Sequence, residues 1–274
     1  MNKEFQEVSE FHQKFGHPTS DFPVSLTEDR AKKRYTWMLE EMNEFLTAVK
    51  EKDIVEQADA MIDTIYFALG TLVEMGVQPD ALFRIVQHAN MSKLWYDGKP
   101  HYNEMGKVIK PEGWENPHMK LQEAIQNMNS SNLIDSTMVD YMIDYQYNEV
   151  RNFQQAFGHP ISDVPVLLTE DRAKKRYAWM LEEINEFLDA VKKQDIVEQA
   201  DAMIDTIYFA LGTLVEMGVQ PGILFDIVQQ ANMSKLWADG KPHYNEMGKI
   251  IKPEGWENPY PKLQLAIRKM YVRR

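Results

Sequence analysis

The chain has 274 residues, 44% of them hydrophobic and 11% aromatic, and its 42 acidic against 30 basic side chains give a formal charge of −12 at pH 7. That length and apolar content suit two globular domains with real cores and exclude a disordered chain. The acidic balance argues against unaided binding to a nucleic-acid backbone, which needs basic patches, although a cation-filled acidic pocket would still accept a small polyphosphate.

With no cysteine there are no disulfides, thiolate nucleophiles or cysteine-zinc sites. The opening MNKEFQEVSEF has no apolar signal core, and the longest apolar stretch, Ile65 to Val73, is too short for a membrane span and contains Gly70 and Thr71. The expectation is a soluble cytoplasmic protein with neither a membrane nor a nucleic-acid polymer as partner.

Apolar residues recur at intervals of three and four, so the predicted class is all-α. A first helix over about Lys3 to Phe15 ends at Gly16, and the loop GHPTSDFPVSL follows. Thr27 is a suitable N-cap for a long second helix to about Lys50. Asp53 caps a third, which Gly76 closes, and Pro79 opens a fourth towards Asn90. Asp97 to Pro117, rich in Gly, Pro and Lys, is predicted as an ordered arm without helix, and a short helix follows near Leu121.

This plan then occurs again. Asp53 to Pro79 returns letter for letter as Asp195 to Pro221, and Glu40 returns as Glu182, an offset of 142 residues. A period that long is a whole domain, so the chain reads as a first repeat over 1–129, a linker at 130–137 and a second repeat over 138–274 whose first helix resumes near Met138. The two repeats are expected to pack about a pseudo-twofold axis as a fused homodimer. Two such chains pairing further into a homodimer is compatible with that plan. The copies differ at His88/Gln230, Tyr96/Ala238 and Arg84/Asp226, so none of these holds an essential role in both.

The acids are distinctive. On the second helix Arg30, Arg34, Trp37, Glu41 and Glu44 form one stripe, with Glu40 beside it; on the third, Glu56, Asp59 and Asp63 form another. At ~1.5 Å rise per residue Glu44 and Asp59 lie at similar height above the turn. Four or five carboxylates then converge between helices whose axes are roughly 8–10 Å apart, a setting suited to hard divalent cations. Two plainer readings stand beside this: Asp53-x-x-Glu56 is also a capping-box pattern, and Arg30 and Arg34 are candidate salt-bridge partners for the acids. The third helix is apolar around nearly its whole circumference, which marks it as buried and makes unpaired acids on it costly.

Glu40-Glu41-x-x-Glu44 followed by Glu56-x-x-Asp59 resembles the EExxE and ExxD signature of the all-α NTP pyrophosphohydrolases, the MazG-like superfamily, over about Thr27 to Lys110 and Thr169 to Lys252. Asn90-Met91-Ser92-Lys93, Asp97-Gly98-Lys99 and Gly106-Lys107 are similar to the phosphate-contacting tail of its phosphoribosyl-ATP branch. The resemblance implies two MazG-like helical-bundle repeats that split the α-β phosphoanhydride of a nucleotide with Mg2+ or Mn2+. It implies Glu41, Glu44, Glu56 and Asp59 as metal ligands, with Glu183, Glu186, Glu198 and Asp201 in the second copy, and Asp63 as a further ligand or a residue that orients one. Glu40 and Glu182 are the candidate bases. Asn90, Lys93, Lys107 and Lys110, and Asn232, Lys235, Lys249 and Lys252, are the candidate substrate contacts.

Trp37, Trp95 and Tyr102 are candidates for stacking on a base, against a core role, and His17 and His101 read as turn residues. No Walker lysine, GxGxxG, HExxH or GxSxG motif is present. The alternatives are phosphoribosyl-ATP as the substrate, a narrow dUTP or dCTP hydrolase, or a nucleotide-binding scaffold without turnover.

Overall fold

A computed structural model describes residues 1–104, 108–130, 142–245 and 250–272. The first repeat contributes α1 (Asn2–Phe15), α2 (Glu28–Glu51), α3 (Ile54–Met75), α4 (Pro79–Met91), β1 (His101–Tyr102), β2 (Val108–Ile109) and α5 (His118–Ser130). The second contributes α6 (Ile143–Ala156), α7 (Glu170–Lys192), α8 (Ile196–Met217), α9 (Gly222–Met233), β3 (His243–Tyr244), β4 (Ile250–Ile251) and α10 (Tyr260–Met270).

The helix ends follow the sequence signals. Thr27 accepts the Arg30 N–H, Asp53 accepts those of Val55 and Glu56, and Gly16 and Gly76 close α1 and α3 in the left-handed conformation. The arm, expected without helix, holds none among its described residues, and what the sequence did not announce is its pair of short strands. Its ends pair as a two-residue antiparallel hairpin, His101 with Ile109 and Tyr102 with Val108, repeated at His243 and Tyr244. Segments this short carry no period-2 pattern to read. Of the linker expected over 130–137, Ser130 is instead the last residue of α5; the rest, and the helix start near Met138, lie outside the described residues.

The centre is a bundle of α2, α3, α7 and α8. α3 packs against α2 of its own repeat and α8 of the other, while α2 packs against α7. Burial on all sides explains the apolar circumference of α3, where Met61, Ile62, Ile65, Leu69 and Leu72 are fully enclosed. Tyr35 donates to Asn185 Oδ1 and Tyr177 to Asn43 Oδ1, both at 3.1 Å, so the pseudo-twofold is visible in single hydrogen bonds.

A sharp turn then sends the chain across. α4 leaves α3 at 117°, and α9 leaves α8 at 119°. In consequence α4 and α5 pack on α8, and α9 and α10 pack on α3. The arms cross too: the Tyr102 hydroxyl donates to Phe157 O at 2.8 Å and that of Tyr244 to Phe15 O at 2.6 Å. Among the described residues no single helix is long and apolar enough to span a membrane.

Candidate active site

The α2–α3 turn is two residues long. Lys52 takes a left-handed φ of 59°, and the Asp53 N–H returns to Ala48 O at 3.0 Å. That bond disposes of the capping-box reading, because the N–H that Glu56 would accept from is already used. The Glu56 side chain is left for another task.

The arginine alternative fails as well. Arg30 gives Glu74 two hydrogen bonds, Nε to Oε2 at 2.6 Å and Nη2 to Oε1 at 2.5 Å. Arg34, fully buried, bonds Thr71 Oγ1 at 3.0 Å, Glu74 Oε1 at 3.4 Å and the Phe67 carbonyl. Both cations are committed to Glu74, roughly four turns from Asp59 at the far end of α3. Gly70 makes this possible, since a Cβ there would strike the Arg34 guanidinium and His12 Nε2. His12, held near a pKa of about 3 by burial and by Arg34, contributes no charge near neutrality.

The acids are thereby left without a cation from their own helices. Burial, then Asp63, Glu44 and Asp59, push the Glu41 carboxyl up; burial, then Asp63, Glu56 and Glu44, do the same to Asp59. Asp63 is raised by burial, against which Lys235 acts. The second copy repeats this with Glu183, Asp201 and Asp205. Asp59 Oδ1 and Asp201 Oδ1 are buried with no hydrogen-bond partner. Glu40, Glu44, Glu182 and Glu186 are exposed, and Glu56 is half-buried. The two stripes therefore meet as expected, with Glu40 and Glu182 at the rim beside Glu41 and Glu183.

Lysine comes from the other repeat. Lys235 on the α9 side faces Asp63, Glu41 and Asp59 of the first repeat, and Lys93 faces Asp205 of the second. Each is pulled down chiefly by burial, is opposed by those acids, and donates to the asparagine one turn earlier, Lys93 to Asn90 and Lys235 to Asn232 at 2.7 Å. Beside them the Tyr66 hydroxyl donates to Gln229 Oε1 at 2.6 Å, and that of Tyr208 to Gln87 Oε1 at 2.7 Å. Every site is composite: acids from one repeat, Asn and Lys from its pseudo-symmetric mate.

Other candidates fall into place around this. Lys110 and Lys252 lie over the rings of Trp114 and Trp256, Nζ 3.7 Å from each centroid, and are exposed. Lys107 and Lys249 lie outside the described residues. Trp95 serves the arm, donating to Ile109 O at 3.0 Å and stacking on His101. Trp37 and Phe67, one turn from Glu41 and Asp63, form a tilted pair 5.9 Å apart, half-exposed beside the acids. His17 stacks on Phe11 at 5.6 Å, and Phe11 meets Tyr66 edge-on.

The reading of the sequence missed Tyr66, Tyr208, His118 and Tyr260 as site residues. Tyr66 and Tyr208 carried a signal, each being one turn beyond Asp63 or Asp205 on the same face; His118 and Tyr260 are brought in only by the crossing of α5 and α10.

Among the described residues no three His, Asp or Glu side chains stand close enough together to hold a metal ion. The donor chemistry nonetheless fits a hard divalent cation: oxygen ligands only, partly buried, mutually repelling, with one buried aspartate oxygen in each site without a partner.

A model of one family, phosphoribosyl-ATP pyrophosphohydrolase, matches residues 8–90 and again residues 150–232. The chain belongs to that family. It is a hydrolase of nucleotide phosphoanhydride bonds, of the MazG-like all-α kind, with the family unit present in tandem. Both matches contain the acids and Asn90 or Asn232 but stop short of Lys93, Lys235 and the arms, the elements that complete the neighbouring site. A 1.78 Å crystal structure of a protein from Exiguobacterium sp. 255-15, described as a proposed NTP pyrophosphohydrolase, is similar at 24% identity and TM-score 0.40, covering 99% of this chain and 98% of that one. No curated protein matches the chain.

Proposed function

We propose that the chain hydrolyses a nucleoside or deoxynucleoside triphosphate at the α-β anhydride, releasing the monophosphate and pyrophosphate, at two composite sites that take Mg2+ or Mn2+. One observation carries the reading. Buried carboxylates converge from α2 and α3 without an arginine, and the cation that faces them, Lys235 or Lys93, comes from the other repeat. Acids in that state favour a divalent cation, and a lysine at their edge favours a polyphosphate bridging the two.

Glu41, Glu44, Glu56 and Asp59 would hold the metal, with Asp63 as a further or orienting group; Glu183, Glu186, Glu198, Asp201 and Asp205 would do so in the second site. When bound, the cation supplies charge neutralisation and a lowered pKa for the attacking water. Lys235 and Asn232 receive the phosphates and sugar of the substrate, and Lys252 approaches from the arm. Glu40, at the rim, takes the proton of the attacking water. The half-exposed Trp37, Phe67 and His17 offer a flat face for the base. Phosphoribosyl-ATP is the specific rival among substrates, favoured by the family that the chain matches.

The test is product analysis with Mg2+ and a panel of nucleoside and deoxynucleoside triphosphates plus phosphoribosyl-ATP, beside the Glu41→Gln/Glu183→Gln double variant. Pyrophosphate from the parent alone supports the reading and names the substrate. Orthophosphate overturns the choice of anhydride, and metal binding without any turnover leaves a nucleotide-binding scaffold.

A further inference from the structure

The two sites are built from the same acids, yet each receives a different residue from the first turn of the crossing helix. α5 and α10 occupy equivalent places, one on α8 and the other on α3. Each is preceded by an asparagine whose side chain accepts the N–H two residues on, Asn116 from His118 at 2.9 Å and Asn258 from Tyr260 at 2.8 Å. The backbones are thus held alike, and the side chains at 118 and 260 are aimed at the same region of the neighbouring acid helix.

They end at different atoms. His118 Nδ1 lies 2.7 Å from Glu198 Oε1. Tyr260, longer by a ring hydroxyl, passes the equivalent Glu56 and donates to Asp53 Oδ2 at 2.8 Å, one turn earlier on the N-cap. Among the described residues no side chain holds Glu56 in the way that His118 holds Glu198. An outer carboxylate fixed by an imidazole through one oxygen keeps the other oriented for a cation, and second-shell partners of this kind commonly change metal affinity by roughly 10-fold or more.

The geometry points to two inequivalent metal sites in one chain, with His118 of the first repeat acting as a positioning residue for Glu198 of the second. This rests on the reading that these acids bind a divalent cation. His118 touches no reacting atom; it removes rotamer freedom from a ligand that is otherwise exposed. Tyr260 reinforces a helix cap and leaves Glu56 to order itself when the cation binds.

The experiment is a calorimetric Mn2+ titration of the full chain without nucleotide, with bound Mn2+ followed in parallel by electron paramagnetic resonance. The expected result is two classes of site. His118→Phe weakens the tighter class by roughly 10-fold without lowering the melting temperature, His118→Gln keeps most of the affinity because its amide can donate to the same oxygen, and Tyr260→Phe moves neither class. In a Glu198→Gln background His118→Phe has no further effect. A single class in the parent, or two classes that His118→Phe leaves untouched, overturns the inference while leaving the metal reading intact. No Mn2+ binding to the parent overturns both.

Discussion

Arg30 closes a two-bond grip on Glu74, at 2.5 and 2.6 Å, and Arg172 does the same to Glu216 at 2.6 Å on both oxygens. Glu74 also lies 3.4 Å from an Arg34 nitrogen, so this one buried acid engages both arginines of the stripe on α2 and holds them away from the acid cluster. Glu74→Ala leaves Arg34 buried without its counter-charge. Urea unfolding followed by circular dichroism should show a loss of about 3–5 kcal/mol. A loss of a few tenths would mean that the arginine cluster is solvated after all.

The composite layout makes paired substitutions informative. Glu41 and Lys235 serve one site, Glu183 and Lys93 the other. Glu41→Gln with Lys235→Ala should therefore retain about half of the parent turnover, since both lesions fall in one site, whereas Glu41→Gln with Lys93→Ala should retain almost none. Equal activities of the two double variants would refute the crossing of the lysines. Steady-state kinetics of the purified variants decides it.

The clustered acids give a pH dependence whose sign follows from their environment. The folded-state pKa values of Glu41 and Glu183 are raised, first by burial and then by neighbouring carboxylates. A group raised in the folded state contributes stability that is complete below its unfolded pKa, about 4, and is lost as pH climbs through the folded value. In chelator, the Glu41→Gln/Glu183→Gln variant should melt progressively higher than the parent as pH is raised from about 4, because the neutral amides have no proton to lose. Melting curves of both proteins across that range, with and without Mg2+, test this; a gap that shrinks with pH would reverse the assignment. Mg2+ should raise only the parent appreciably.

Gly70 is required by packing. The Cβ of Gly70→Ala would occupy the place of the Arg34 guanidinium, and Gly212 stands in the same relation to Arg176. Overpacking there should cost roughly 1–3 kcal/mol, despite the better helix propensity of alanine, and scanning calorimetry would register it. A stabilised Gly70→Ala protein would show that Arg34 can retreat without loss.

Most of the secondary structure was legible because the signals are local. Thr27, Asp53, Gly76 and Pro79 act on backbone groups within one turn of themselves, so helix ends could be placed to within a residue or so. The meeting of the two acid stripes was legible too, since a two-residue turn leaves a helical hairpin few ways to close. The two-residue strands were not, being shorter than any period that could announce them.

What lay in the residue order was thus the duplication, the all-α class, the buried third helix and the row of acids along it, all consequences of spacing along one helix or across one short turn. What the tertiary arrangement alone decided was the ownership of each site. The bends of 117° and 119° after α3 and α8 carry Asn, Lys, His and Tyr onto the opposite repeat. The internal pairing of Arg30 and Arg34 with Glu74 decides, in the same way, which acids stay without a counter-charge. Contacts between residues far apart in sequence depend on where whole helices come to rest, and the spacing of residues within a helix holds no record of that.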